Sequence, residues 1–380
     1  MQLVLTEDQE LLAKTAADFV REHAPLARVR ELRDRRDPVG FSRPLWKQMA
    51  ELGWVGIPFP EALGGAGLGL ADLAVVLEQL GRRLAPEPFL STVLLGGQAL
   101  LLGGSAAQQQ GWLPGIAAGE KLVTLAWQEA RSRFDPFRIE ATAKPAGDGF
   151  VLDGEKIAVP DAATADAIVV AARTAGAPGD EAGLALFVVP RDAAGLAIEP
   201  QTRIDHRSAA LVRLAGVRVG REAAVGEPGR GGPLLAGVLD RATAGLCAEM
   251  LGATSQVFED TVQYLKTRVQ FGVPIGSFQA LKHRAARVFM EIELARSATM
   301  AAVRALDAGD PEAAKLVSLA KARGSDAFLL AANEAVQMFG GVGMTDEYDL
   351  GFYLKRARVA EMTFGDAAWH RERWARLGGY

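Results

Sequence analysis

Between Tyr264 and Phe289 the chain gathers a fixed positive charge and several hydrogen-bonding groups: Arg268, Gln270, Gln279 and His283 lie close in sequence to Phe271 and Phe278. A guanidinium matches a phosphate through its planar fork of donors, and amides beside aromatic rings suit the planar rings of a nucleotide. The stretch reads as helix, break, helix. Gly272, Pro274 and Gly276 supply the break, because proline cannot continue a helix and glycine tolerates the φ values of a turn. On spacing alone the same residues would equally make a polar cap on a helical hairpin.

The pattern R-x-Q-F-G-x-P-I-x-x-F-Q-x-x-x-H, together with the later run QMFGGVGMTDEYD from Gln337 to Asp349, resembles the acyl-CoA dehydrogenase flavoprotein family, and the similarity runs over essentially the whole chain. The resemblance implies FAD as the cofactor. It places Arg268, Gln270, Phe271, Phe278 and Gln279 against the FAD of a neighbouring subunit, and Gln337, Gly340 and Gly341 at the same pyrophosphate. A glycine pair makes physical sense there, since a bare backbone lets a phosphate approach its N–H groups. The resemblance further implies an acyl-CoA substrate and an electron-transfer flavoprotein as acceptor. It also implies an oligomer, either a dimer or tetramer of identical chains or a hetero-oligomer with a homologous subunit.

At 380 residues, 49% hydrophobic and 23% charged, the chain can bury large cores and should form two or three domains. A formal net charge of −4 and a pI near 5.8 argue against a nucleic-acid partner, whose phosphates demand a basic face. The single cysteine, Cys247, excludes an internal disulfide and a cysteine-rich metal site; set among Leu246, Ala248 and Met250, it reads as a buried, inert thiol. The start MQLVLTEDQELL lacks the basic and apolar regions of a leader, and no run approaches the ~18 apolar residues of a membrane span. A cytoplasmic protein with no metal is expected.

In chain order, Thr6 to Glu10 reads as a capping box opening a helix whose apolar face is Leu11, Leu12, Thr15, Ala16, Phe19 and Val20. A second helix fits 44–52. Gly64, Gly65, Gly67 and Gly69 read as a loop rather than a dinucleotide fingerprint, because helical patterns flank them on both sides. Helices at 94–102 and 105–118 complete an all-α domain over 1–120. From Lys121 the runs KLVTLAW, FRIEATA, FVLDGEKI, AIVVAAR, LALFVVP and LVRL read as short strands, with Asp148-Gly149 and Asp153-Gly154 as turn signals. They predict a small antiparallel β-barrel over 121–230. Long helical patterns then predict a C-terminal four-helix bundle over 231–380. The fold class is a multidomain α and β protein.

Acyl-CoA dehydrogenation takes a proton from the α-carbon and a hydride from the β-carbon to the flavin, so the protein must supply a base. The resemblance puts the usual glutamate at Phe364 and a second known position at Ala242; this chain has neither carboxylate. Glu249, on the same helix pattern as Ala242, lies in an apolar stretch and must be paired or functional. Asp366 is either a base or the cap of the last helix. Asp240 and Arg241 match the stretch that meets the adenine portion of CoA. In the middle region only Glu129 and Gly154, Glu155, Lys156 match well, while Ala158 and Pro160 stand where the family has a ring and a hydroxyl beside the flavin. Three readings follow: an FAD-dependent acyl-CoA dehydrogenase with an atypical base, a catalytically silent structural subunit beside an active homologue, and a flavin oxidase or monooxygenase on the same scaffold.

Overall fold

The computed structural model describes residues 3–380. α1 (Glu7–His23) begins where Thr6 and Gln9 cap each other, side chain to backbone N–H in both directions, at the expected capping box. α2 (Ala27–Arg35) has no counterpart among the expected helices. Val29 is its sole buried residue, so no apolar stripe marks it. α3 (Arg43–Glu51) is capped by Ser42. The glycine cluster is a loop: Gly64 and Gly67 take φ of 81° and 64°, and Gly69 opens α4 (Leu70–Arg82). The helix expected at 94–102 is instead a π-helical stretch, Phe89–Gly97, running into α5 (Gln98–Gly103), and α6 (Ala106–Ala117) follows.

Eight strands come next: β1 (Val123–Ala126), β2 (Thr142–Ala146), β3 (Gly149–Pro160), β4 (Ala167–Arg173), β5 (Leu184–Pro190), β6 (Leu196–Gln201), β7 (Ala209–Gly220) and β8 (Ala224–Gly229). They form one sheet in the order β6-β7-β3-β2-β4-β5-β8, with β1 alongside β4. The expected small antiparallel barrel is therefore an open sheet with β6 and β8 at its ends, and β4 pairs in parallel with β1 and β2. Strand spacing along a chain reports strands and turns; closure depends on tilt and stagger, which spacing does not carry.

Asp153-Gly154 is no turn. It lies inside β3 at a bulge, where Gly154 takes φ 145° and a side chain would sit 2.5 Å from Ala141 Cβ, while Asp153 Oδ1 accepts from the Gly216 N–H at 2.8 Å. The turn between β2 and β3 is Gly147-Asp148, one residue before the expected pair. β4 and β5 are buried on both faces, and Leu152, Val170, Phe187, Val212 and Val217 form the core of the sheet.

The remainder is helical: α7 (Gly232–Thr267), a two-strand hairpin of β9 (Val269–Gln270) and β10 (Val273–Pro274), then α8 (Gln279–Asp307), α9 (Ala313–Phe339), α10 (Leu350–Met362) and α11 (Ala367–Leu377). The four-helix expectation gains a fifth member, α11, which packs on α9. No helix among the described residues is long and apolar enough to cross a membrane.

The chain forms two compact units that interleave in sequence. One takes residues up to Glu31, Gly69–Ala85 and Thr243–Tyr380 and is helical apart from the β9–β10 hairpin. Its tightest packing sets α4 against α7: a Cβ at Gly81 would lie 2.0 Å from the Glu249 carbonyl oxygen, and one at Gly252 would lie 1.8 Å from that of Glu78. Glycine alone permits such an approach. The other unit, Leu32–Leu68 and Pro86–Ala242, holds α3, the π-helical stretch, α5, α6 and the sheet.

Candidate active site

The hairpin after α7 is built by two residues with positive φ. Gln270 faces Val273 across the pair, and Phe271 and Gly272, at φ 55° and 78°, make the two-residue turn, the left-handed pair that matches strand twist in a type I′ hairpin. The hairpin is tied back to the helix end, with Ile275 N–H donating to the Arg268 carbonyl at 2.8 Å. Phe271 is thereby thrust outward at 91% exposure, edge-on to Phe278 with ring centroids 6.0 Å apart. Arg268, Gln270, Phe278, Gln279 and His283 are exposed as well.

Tyr264, one helical turn before Arg268, stacks on Phe339 with centroids 3.9 Å apart and rings 12° from parallel, and its hydroxyl donates to the Phe339 carbonyl at 3.4 Å. Gly340 follows at once. It ends α9 at φ 68°, and nothing lies within 4 Å of a Cβ added at Gly340 or Gly341. The two sequence motifs, some seventy residues apart, thus share one end of the helical unit. Tyr348 meets both rings edge-on, and a cavity of about 370 Å³ opens beside them, lined also by Asp260, Gln263 and Thr267. The donor set is a guanidinium, three primary amides (Gln270, Gln279, Gln337) and two bare glycines, a chemistry suited to a pyrophosphate.

The candidate bases sit elsewhere, each in a structural bond. Glu249 Oε1 accepts from Arg356 at 2.9 Å, and both residues are buried. Asp366 caps α11, accepting from the Trp369 N–H at 2.8 Å. Phe364 is nearly buried in the left-handed region at φ 61°, and Ala242 is fully buried. Asp240 is buried; Arg241 donates to the Gly237 carbonyl at 3.2 Å. Cys247 is buried too, and burial pushes its thiol up to about 12, which makes it a poor nucleophile as expected. No group of three or more metal-ligating side chains occurs among the described residues.

In the sheet, Glu129 Oε1 accepts from Lys156 Nζ at 2.6 Å and from the Ala141 N–H at 3.0 Å, and Oε2 accepts from the Glu140 N–H at 2.7 Å. Lys156 is wholly buried, which draws its ammonium down to about 8 against the opposing pull of Glu129. The matching Glu129 and Lys156 are therefore a structural clasp between β3 and the segment after β1. Ala158 stands in the adjoining bulge at φ 51°.

Family models match in three consecutive stretches: acyl-CoA dehydrogenase N-terminal domain over residues 6–120, middle domain over 124–217 and C-terminal domain over 229–378. The chain belongs to the acyl-CoA dehydrogenase family. Probable acyl-CoA dehydrogenase YngJ of Bacillus subtilis (strain 168) is 31% identical over 372 residues, 96% of each chain. Butyryl-CoA dehydrogenase from Megasphaera elsdenii superposes with a TM-score of 0.90 at 25% identity, covering all of both chains. A chain of the ChsE4-ChsE5 complex from Mycobacterium tuberculosis superposes with 0.89 at 29% identity, over 99% of this chain and 98% of that one.

FAD is the cofactor of an acyl-CoA dehydrogenase, and the exposed donors at the Tyr264–Phe339 end fit its pyrophosphate. Two residues of this chain escaped the sequence reading, Lys321 and His370, both fully buried beside the Phe364 turn. A lysine inside the apolar run Leu319-Ala320-Lys321-Ala322 was the available signal, because a charge at such a position must find partners.

Proposed function

We propose that this acyl-CoA dehydrogenase converts an acyl-CoA thioester to the 2-enoyl-CoA and passes the electrons to an electron-transfer flavoprotein. The observation that carries the reading is the Tyr264–Phe339 stack, which sets Arg268 and Gly340 at one end of the helical unit. In this reading Arg268, Gln270, Gln279, Gln337 and the backbone of Gly340 and Gly341 hold the FAD pyrophosphate, and Phe271 and Phe278 lie against the nucleotide. Bound FAD supplies the hydride acceptor. Asp240 and Arg241 meet the nucleotide end of CoA. Val269, Phe271, Phe289, Met290 and Leu294 are large apolar residues exposed on the hairpin and α8, which suits a subunit contact in a homo-oligomer. The lone buried thiol fits a reducing cytoplasm.

For the α-proton the chain offers Glu249 first and Asp366 second. Both already hold structural partners, Arg356 and the Trp369 N–H, and Phe364 occupies the turn where the resemblance puts the base. That observation favours a second reading, a silent subunit that completes the FAD site of an active homologue.

The visible spectrum of the purified protein, taken anaerobically with a panel of acyl-CoAs, separates the two. Bleaching of the oxidised-flavin bands is the expected result. A colourless or unresponsive protein that becomes active only when co-expressed with a homologue would establish the second reading instead.

A further inference from the structure

We propose that Lys321 is a positioning residue: its buried ammonium, with His370, clamps the α10–α11 turn over Thr363–Asp366 into a fixed wall of the acyl-thioester site. The proposal rests on the acyl-CoA dehydrogenase reading, in which this turn faces the substrate.

Lys321 projects from α9 and is 0% exposed. Its three N–H groups go to the Gly365 carbonyl at 2.7 Å, the Glu361 carbonyl at 3.0 Å and Ser325 Oγ at 3.1 Å. One of these acceptors, Glu361, precedes the turn and another, Gly365, lies within it. His370, on α11, places Nε2 3.1 Å from the carbonyl between them, that of Phe364. To donate there, the neutral ring must carry its proton on Nε2, which leaves Nδ1 buried without a partner. The conformation so held is a costly one. Phe364 takes φ 61°, Gly365 takes φ 115°, and a Cβ at Gly365 would lie 2.6 Å from Trp369 Cε3. A simple tie between two helices needs no left-handed phenylalanine; strain that surrounding groups over-determine marks a place where shape matters.

The charged and titratable groups around the ammonium are Cys247 on α7, Arg356 and Glu361 on α10, Asp366 in the turn and His370 on α11, and Arg373 on α11 stands beside His370. Burial draws Lys321 down to about 8. The neutral amine above that pH keeps two N–H donors, enough for the Glu361 and Gly365 carbonyls, and can accept from the Ser325 hydroxyl, so the clamp holds in either charge state.

The test compares the holoprotein with Lys321→Met. Amide exchange at Phe364–Asp366 should rise at least about tenfold while the middle of α9 stays protected. Flavin reduction by acyl-CoA should slow at least about tenfold at little cost in KM. Unchanged exchange overturns the clamp; raised exchange with a reduction rate within about twofold of wild type overturns the positioning role. Should Lys321→Met not fold, His370→Asn removes the bond to Phe364 alone and is read by the same two measurements. A wild-type flavin that no thioester bleaches overturns the acyl-CoA reading and the positioning role with it. The exchange measurement then still distinguishes that failure from the absence of a clamp.

Discussion

Arg356 grips Glu249 with two nitrogens on one oxygen: Nε and Nη2 both lie 2.9 Å from Oε1, with the side chains 7% and 11% exposed. The pair forms where α10 meets α7, close to the point at which Gly81 lets α4 touch the Glu249 carbonyl. A carboxylate chosen from the sequence as a base is thus also a structural partner of a guanidinium more than a hundred residues away.

Glu249→Gln should therefore lower stability by about 3–5 kcal/mol, since it leaves Arg356 buried against a neutral group. Denaturant unfolding measures that loss. Flavin bleaching by acyl-CoA in the same variant tests the base: normal melting with bleaching abolished would mark Glu249 as catalytic rather than structural.

Gly81→Ala and Gly252→Ala each push a methyl group into backbone at 2.0 Å and 1.8 Å. Either should cost about 1–3 kcal/mol or more, because α4 and α7 must separate. Thermal midpoints check it, and unchanged midpoints would mean that the helices do not pack backbone to backbone.

Asp307, near the end of α8, accepts from the N–H groups of Leu70 and Ala71 at 2.7 and 2.8 Å, and so caps α4 from another helix. Asp307→Ala should cost about 1 kcal/mol, and Asp307→Asn less. Chemical denaturation of the pair gives both numbers.

His370 is pushed down to about 3 by burial and by the nearby cations Lys321 and Arg373. Its ordinary value is 6.5, so between those limits the unfolded chain binds the extra proton and the folded chain does not. This residue's contribution to stability is full above about pH 6.5 and is lost as pH falls towards 3. His370→Asn should flatten melting midpoint against pH in that window. A variant as acid-sensitive as wild type would sink the assignment.

Arg268→Ala should weaken FAD retention by about 1.5–3 kcal/mol, the worth of a hydrogen bond to a charged group, without changing the thermal midpoint of the apoprotein. Equilibrium dialysis against FAD reads it directly. Retention equal to wild type would remove Arg268 from the cofactor site.

Much of the helical pattern was legible because its causes are local. The reciprocal Thr6–Gln9 cap, the glycine loop before α4, and the turn forced at Phe271-Gly272 depend on neighbours within a few residues. The residues proposed to hold the cofactor stand out in the sequence as residue types at fixed spacing. α2 was not, since a helix with one buried residue has no stripe to read. Asp153-Gly154 looked like a turn and became a bulge, because whether a flexible pair reverses the chain depends on the strand beside it; here β7 pairs with β3 on both sides of it. The open edge of the sheet, the partner of Glu249, and the three bonds of Lys321 were decided only when distant segments packed. A buried charge in a sequence says that a partner must exist; helix packing alone decides that Glu249 finds Arg356 and that Lys321 finds the carbonyls of the Phe364 turn.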